Sequence, residues 1–320
     1  MSANSWKSIV VAIRDPNSRR QMAVTKAAEL ARRYNATLTL LHVFAFPYPL
    51  PNDKNLSSVD VLDRVKSRLE RSLKLLAAPL VKTGVKVECA VEWDYPIHDG
   101  IVRYIVKKKP DLLIAESHHH SQVARWFLSN TDWELIRSCP CPLWFVKTAQ
   151  LPERPAILAA VDPFHAGAKP ANLDGQILDV ARQLKKQLRG GLTVAHARDI
   201  PLVAPLTGPM EAILVPLSPQ EMRRVESEAK RSLNVLARKH SIQPSECIVQ
   251  VGSPSIVIEA LVKKLGIDLL VMGAVSRRGL KRVLIGSTAE RLIDPSKCDI
   301  LILKPKGFKA NPGRGIALAA

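Results

Sequence analysis

The sequence predicts an α/β protein made of two tandem doubly wound domains, each a five-stranded parallel sheet flanked by helices. Short aliphatic runs rich in β-branched residues alternate with longer segments of helical periodicity, which is the pattern of βαβ units. The same order of segments occurs twice along the 320 residues. Apolar residues make up 47% of the chain, which is enough to bury a sizeable core in each half.

The second half of the chain repeats the first. Residues 111–147, which begin DLLIAES and end CPLWFVK, superimpose without a gap on residues 268–304, which begin DLLVMGA and end CDILILK, at an offset of 157. Near the front of each half, SIVVAI at 8–13 matches AILAAV at 156–161 at an offset of 148. Nine additional residues therefore lie in between, and we expect them in the Pro-rich stretch 201–219.

Each half contains five strand-like runs separated by helical segments. In the first half we expect strands near 8–13, 37–44, 86–92, 111–115 and 142–146. Helices are expected near 18–34, 58–82, 97–108 and 131–138. In the second half we expect strands near 156–161, 192–197, 246–251, 268–273 and 299–303. Helices are expected there near 172–188, 219–240, 254–265 and 288–293.

These elements divide the chain into two predicted domains, at residues 1–147 and 156–304. The stretch TAQLPERP at 148–155 is the predicted linker. The remaining residues 305–320 are basic and contain Gly and Pro, so we expect a disordered tail.

Composition narrows the class of protein. No apolar run approaches the roughly 18 residues that span a bilayer, and the N-terminus has no signal-peptide pattern, so we expect a soluble, cytoplasmic protein that does not bind membranes.

The net charge of +18 is spread along the chain, with +8 in residues 1–150 and +10 in residues 151–320. This diffuse excess is typical of solvated helix faces and leaves nucleic acid open as a partner.

The segment 272–293, MGAVSRRGLKRVLIGSTAERLI, contains the strongest candidate for a binding site. Gly273 ends a predicted strand, and Gly286, Ser287 and Thr288 begin the next helix. Open parallel sheets bind ligands outside the carboxyl ends of strands where the strand order reverses, and free N–H groups at a helix N-terminus favour phosphate. A capping box from Ser287 to Glu290 explains the same residues without a ligand, so both interpretations stay open.

The spacing Gly273-x2-Ser276-x9-Gly286-Ser287 resembles the Gly-x2-Gly-x9-Gly-(Ser/Thr) signature of the universal stress proteins. Ser276 is the one substitution. In family members that hold ATP, this signature binds its ribose and phosphates. The resemblance implies that the second domain binds an adenine nucleotide, most readily ATP, with Thr288 following the signature at the start of the helix.

The resemblance extends to both halves and includes AAVD at 159–162 and HA at 196–197. It implies that Asp162 contacts the nucleoside and that Ala197 lines the adenine pocket. It also implies a role in stress responses, including survival of DNA damage. Pairing of the final strands of the two halves is implied as well, which would make the chain an intramolecular pseudo-dimer; a homodimer of such units stays open.

The corresponding site in the first half lacks the signature. Glu116, His119, Ser129 and Asn130 occupy the positions of its four residues, and Arg14 stands where Asp162 stands in the second half. A carboxylate at 116 would repel an anion, so we expect no phosphate binding there.

The run His118-His119-His120 suggests a metal site as an alternative, because imidazoles are common metal ligands. Adjacent loop residues rarely converge on one ion, so a solvated loop is the preferred interpretation and no metal site is predicted.

No catalytic residue is predicted. The sequence contains no Gly-x-Ser-x-Gly elbow, no plausible cysteine dyad and no P-loop, so we expect a binding protein and not an enzyme. Two alternatives compete with nucleotide binding: a non-catalytic binder of another small or apolar ligand, and a basic module that interacts with nucleic acid or protein.

Overall fold

The computed structural model describes residues 6–45, 58–116, 131–165, 172–199, 218–274, 291–293, 296–310 and 312. In the first half, the strands are β1 (Ser8–Ala12), β2 (Thr37–Phe44), β3 (Lys86–Trp93), β4 (Leu112–Glu116) and β5 (Leu143–Val146). The helices are α1 (Met22–Tyr34), α2 (Ser58–Lys82), α3 (Ile97–Lys108) and α4 (Thr131–Ser138).

The second half has the same order of elements. Its strands are β6 (Ala156–Ala160), β7 (Gly191–Arg198), β8 (Cys247–Val251), β9 (Leu269–Gly273) and β10 (Asp299–Leu303). Its helices are α5 (Leu173–Leu188), α6 (Pro219–Lys239) and α7 (Pro254–Leu265). Residues 291–293 are helical, in agreement with the final helix expected at 288–293, of which residues 288–290 lie outside the described residues.

Helix α1 begins at Met22, four residues later than the expected position 18. Asp15 folds the preceding residues into a turn, because its Oδ1 accepts from the Asn17 amide at 2.9 Å. The side-chain amide of Gln21 donates to the carbonyls of Asp15 at 2.8 Å and of Ser18 at 3.0 Å. These side-chain bonds replace the first helical turn with a local alternative.

All ten strands form one sheet, in the order β3-β2-β1-β4-β5-β10-β9-β6-β7-β8. Every neighbouring pair is parallel except β5 and β10, which are antiparallel. Within each half the strand order reverses once, between β1 and β4 and between β6 and β9. The doubly wound fold is therefore confirmed, and so is the pairing of the final strands of the two halves.

The two halves are related by an approximate twofold axis. Trp144 lies opposite Leu301 across the β5–β10 pair, and these two residues correspond to each other in the 157-residue repeat. Around β2 and β7 the offset is 154, because Thr37 corresponds to Gly191. By that offset Arg33 corresponds to Gln187, and the side-chain amide of Gln187 donates to the Arg33 carbonyl at 3.0 Å.

Most of the additional length of the second half lies elsewhere than expected. Ser8 pairs with Thr37, whereas Ala156 pairs with Gly191, so the connection from β6 to β7 is six residues longer than that from β1 to β2. The expectation that all nine additional residues lie at 201–219 is therefore wrong. Helix α5 takes up part of the difference, since it has 16 residues against 13 in α1.

Two hydrophobic cores cover the two faces of the sheet, and each extends across both halves. Successive residues of β1 point to opposite faces of the sheet, so Ile9 belongs to one core and Val10 to the other. Ile157 and Leu158 of β6 divide in the same way. One continuous sheet with shared cores on both sides makes the two halves a single packed unit.

The repeated Asp-Leu-Leu segments fix the amino ends of the strands. Asp111 Oδ2 accepts from the backbone amides of Lys7 at 2.7 Å and Ser8 at 3.0 Å. Asp268 Oδ2 accepts from the Ala156 amide at 2.8 Å. Each carboxylate ties the start of one strand to the start of its neighbour, at the edge of the sheet opposite to the predicted ligand site.

The domain bounds 1–147, 148–155 and 156–304 stay predictions. Part of the predicted tail 305–320 lies within the described residues, where Ala310 packs against one of the two cores. No helix in the described parts of the chain is both long and apolar enough to cross a membrane.

Candidate functional site

The strand order of the second half reverses between β6 and β9, and three predicted site residues lie at that edge of the sheet. Gly273 is the last residue of β9, and Asp162 follows β6. The register pairs Ala159 with Val271, so Asp162 and Gly273 leave the sheet at nearly the same level. Ala197 lies one strand further on in β7, two residues beyond Ala195, which pairs with β6.

The other four predicted residues, Ser276, Gly286, Ser287 and Thr288, lie outside the described residues. Their assignment stays a prediction from the sequence. The structure therefore brings together the two strand ends and the β7 residue that the prediction requires.

Asp162 is held in place by its own loop and by α5. Its backbone amide donates to Asp174 Oδ1 at 3.2 Å, and its Oδ1 accepts from the Phe164 amide at 3.3 Å. The same Oδ1 lies 3.8 Å from His196 Nδ1. The carboxylate is 35% exposed, so it is oriented by the protein and still reachable by a ligand hydroxyl.

A stack of three side chains lies beside Asp162 that sequence reasoning missed. The Phe164 ring lies over the buried His196 ring, with centroids 5.5 Å apart, and the Arg198 guanidinium carbon lies 4.0 Å from the centre of the Phe164 ring. His196 Nδ1 is 3.1 Å from the Val161 carbonyl, which fixes the ring against the end of β6. The stack presents an aromatic surface and a cation at the carboxyl edge of the sheet.

The signal for this stack was present but weak. His196 and Arg198 are two residues apart on a strand, so they share one face of the sheet. Nothing local placed Phe164 over them, since its position depends on how the chain turns after β6 into the short 3₁₀ segment Pro163–His165.

Gly273 has a packing role. A Cβ at this position would lie 2.5 Å from Leu173 Cδ2 and 3.3 Å from Ile177 Cδ1. The volume beside the glycine is filled on this side by side chains of the first turns of α5. Glycine therefore allows close contact between helix and strand, and a larger residue would require Leu173 to move.

Lys304 lies beside Ala274, the residue that follows β9. Its Nζ is 3.5 Å from the carbonyl oxygen of Ala274 and 4.9 Å from the centre of the Phe308 ring. Burial lowers the pKa of Lys304 to about 8, and the nearby Cys139 opposes that shift. The side chain is a cation beside the end of β9, and the signature residues follow β9 in the sequence.

The first half keeps part of this arrangement. His42 Nδ1 is 2.8 Å from the Ile13 carbonyl, and the His42 ring is parallel to that of Phe44, which takes the position of Arg198. Burial lowers the pKa of His42, against the opposing effects of the Ile13 carbonyl and Asp15. The cation of the second-half stack is thus replaced by an aromatic ring.

Arg14 is exposed, and Glu116 ends β4 at the position of Gly273. His119, Ser129 and Asn130 lie outside the described residues, as does the run His118-His119-His120. Within the described ranges, no group of three or more His, Cys, Asp or Glu side chains is arranged to hold a metal ion.

Comparison with known proteins identifies the family. The sequence profile of the universal stress protein family matches this chain twice, at residues 5–147 and at residues 156–304. The chain belongs to the universal stress protein family. The two matches agree with the internal repeat and with the two halves of the sheet.

Tandem members of the family are similar over nearly the whole length. Universal stress protein E of Photorhabdus laumondii is 26% identical over 313 residues, which cover 95% of this chain and 97% of that protein. Universal stress protein E of Escherichia coli K12 is 26% identical over 320 residues, with 95% and 96% covered. This chain is therefore a tandem universal stress protein similar to these two.

Solved structures share the fold. A putative universal stress protein from Pseudomonas aeruginosa UCBPP-PA14 has a TM-score of 0.68 at 23% identity and covers 95% of each chain. A functionally unknown protein from Pseudomonas aeruginosa PAO1 has a TM-score of 0.67 at 23% identity, with 94% of this chain and 93% of that one covered. These likenesses establish the arrangement of the two halves and not the ligand.

Proposed function

We propose that the second half binds an adenine nucleotide, ATP in particular, at the carboxyl edge of β6 and β9. The observation that carries this proposal is the position of the family signature. It begins at Gly273, level with Asp162 across the point where the strand order reverses. That point is where open α/β sheets bind their ligands.

The residues at this edge suit a nucleotide. The partly exposed carboxylate of Asp162 can accept hydrogen bonds from the ribose or the base. Ala197 is small and leaves room for a flat ring. Gly286, Ser287 and Thr288 would supply backbone amides and hydroxyls to the phosphates at a helix start. Ser276 would add a hydroxyl donor where the family signature has glycine.

The proposed role is binding without turnover. The sequence offers no P-loop and no activated nucleophile, so the nucleotide would act as a sensed or stored ligand. As a tandem universal stress protein, the chain would serve in the stress response of the cytoplasm, including survival of DNA damage, by coupling nucleotide occupancy to its interactions.

Titration calorimetry with ATP tests the site. We expect micromolar binding by the wild type and loss of binding in Gly286→Val, because the branched side chain would block backbone approach by the phosphates. Ser129→Val is the matched control, since Ser129 is the first-half equivalent and should not affect binding. Ser276→Gly measures the effect of the substituted position, and we expect equal or tighter binding.

Absence of ATP binding in the wild type and in Ser276→Gly would overturn the proposal. The alternatives would then be another small or apolar ligand, or an interaction module. Binding that survives in Gly286→Val but is lost in Ser129→Val would move the site to the first half.

A further inference from the structure

One buried ion pair crosses the joint between the two halves. Lys26 Nζ of α1 lies 2.6 Å from Asp299 Oδ2 of β10, and the two side chains are only 2% and 1% exposed. Trp144 Nε1 donates to the same oxygen at 2.7 Å. The backbone amides of Lys147 and Thr148 donate to Asp299 Oδ1 at 2.9 and 3.3 Å.

Lys26, Trp144 and Lys147 belong to the first half and Thr148 is the first residue of the predicted linker, whereas the carboxylate comes from the second half. Lys26 Nζ also donates to Thr148 Oγ1 at 3.1 Å, so the cation has a second partner in its own half. Asp299 is satisfied only when the second half is docked against the first. A buried carboxylate that lost these partners would be strongly unfavourable.

The ion pair occurs on one side of the approximate twofold axis only. By the offsets of the repeat, Lys26 corresponds to Val180 and Asp299 corresponds to Pro142. Val180 packs against the hydrophobic core, and Pro142 precedes β5. The symmetry-related position is therefore apolar, and the joint is chemically asymmetric although the backbone is nearly symmetric.

A buried ion pair contributes little to stability relative to apolar residues of similar size, because desolvation offsets the attraction. It can nevertheless discriminate strongly between partners, because a wrong partner leaves a charge unpaired. The asymmetry matters because β5 and β10 each end the strand order of their own half and have similar sequences. If the halves separated, each of these strands would become an edge that could pair with its own counterpart in another molecule.

We propose that Lys26 and Asp299 make this joint selective for its partner: the surface of β5 and α1 accepts the β10 surface of the same chain and rejects a second copy of itself. If β5 paired with β5 of another molecule, each Lys26 would face the partner subunit's Pro142. If β10 paired with β10, each Asp299 would face the partner subunit's Val180. Both arrangements bury an uncompensated charge.

The test starts from the full-length protein and measures which halves pair at the joint between β5 and β10. A protease site is placed between Pro152 and Glu153, where Glu153 is exposed, and the protein is cut after folding. The cut protein is incubated at high concentration in mild urea so that halves exchange, and native mass spectrometry measures pairs of unlike and like halves. We expect the wild type to retain only unlike pairs.

Lys26→Met with Asp299→Asn removes both charges from the joint, and the new amide oxygen can still accept from Trp144 Nε1 or from the amides of Lys147 and Thr148. We expect this variant to remain folded, as judged by circular dichroism, and its pairs to approach the statistical mixture of like and unlike halves. Exclusive unlike pairing in this folded variant, or abundant like pairs in the wild type, would overturn the proposal.

A single replacement, Lys26→Met, gives an independent measurement, because Asp299 keeps its three other hydrogen-bond donors. The first half then carries no charge at the joint, so we expect like pairs of first halves to appear, whereas like pairs of second halves, which would bury two Asp299 carboxylates, stay absent. Absence of like first-half pairs in this folded variant would contradict the proposed selection.

Discussion

Carboxylates at strand ends have different roles in this fold although the residue type is the same. Asp111 and Asp268 accept backbone amides at the amino ends of strands and are structural. Asp162 lies at the opposite edge, where it is partly exposed beside an aromatic and cationic stack. Asp111 and Asp268 lie at the amino ends of the strands, whereas Asp162, the proposed ligand contact, lies at the carboxyl edge, where open parallel sheets bind ligands.

Gly273→Ala should destabilise the protein by about 1–3 kcal/mol, since the new methyl group would overlap the buried Leu173 side chain and force it to move. Gly191→Ala is the matched control, because a Cβ at position 191 meets nothing within 4 Å. Urea unfolding followed by circular dichroism measures both variants. Equal midpoints for the two variants would contradict the assigned contact between Gly273 and α5.

Lys304 should make stability depend on pH in the alkaline range. Its pKa of about 8 in the folded protein is below the ordinary value of 10.5, because burial disfavours the charged amine. The unfolded chain then binds more protons between these values, so this residue's contribution to stability rises as pH rises from about 8 to 10.5. Below pH 8 the folded protein carries the full cost of the buried charge.

Lys304→Met should therefore raise the free energy of unfolding relative to the wild type by at most about 3 kcal/mol near pH 7. The difference should narrow as the pH approaches 10.5. Unfolding by urea at a series of pH values measures it. A difference that stays constant from pH 7 to 10.5 would show that the folded amine titrates normally.

At the scale of elements, periodicity predicted most boundaries well, and the exceptions have local causes. Helix α2 spans Ser58–Lys82 and α3 spans Ile97–Lys108, as the sequence predicts. Helix α1 starts late because Asp15 and Gln21 form side-chain bonds to the backbone of the preceding turn. Periodicity records which face of a segment is buried, whereas the first turn of a helix depends on such capping chemistry.

Asp268→Ala should weaken the pairing of β6 with β9, because the Ala156 amide would lose its acceptor. We expect a loss of about 1–2 kcal/mol in the free energy of unfolding, measured by urea denaturation. Glu259→Ala is the control, since it removes an exposed pair with Lys263 on α7 and should change stability by less than about 0.5 kcal/mol. Similar losses in both variants would contradict a specific role for the Asp268 bond.

At the scale of the whole molecule, the antiparallel pairing of β5 with β10 turns two repeats into one sheet of ten strands. Cores on both faces cross this joint, and the Lys26–Asp299 pair lies within it. Unfolding one half would expose the apolar surface and the buried charge of the other. The two halves should therefore unfold together.

The tryptophans allow a direct test of this coupling, because all five lie in the first half, at positions 6, 93, 126, 133 and 144. Their fluorescence reports unfolding of that half, whereas far-ultraviolet circular dichroism reports both halves. We expect the two urea transitions to coincide in the wild type. Separate midpoints would mean that the halves unfold independently despite the shared sheet.

The sequence by itself determined the internal repeat, the class of fold, the order and approximate bounds of the strands and helices, and the strand ends at which Asp162 and Gly273 lie. Short-range periodicity and the alignment of the chain with itself predict these features. They depend on residues close together in the chain or on matching positions of the repeat, so they are visible before folding is known.

The tertiary structure alone decided three contacts between distant residues. Leu173 fills the side of Gly273, Phe164 contacts both His196 and Arg198, and Lys26 pairs with Asp299 across 273 positions of sequence. No local pattern encodes these contacts, because each depends on how separate elements pack against the sheet. Packing, and not periodicity, placed the Arg198 guanidinium at the carboxyl edge of the sheet. It also placed the buried Lys26–Asp299 pair on only one side of the nearly symmetric joint between β5 and β10.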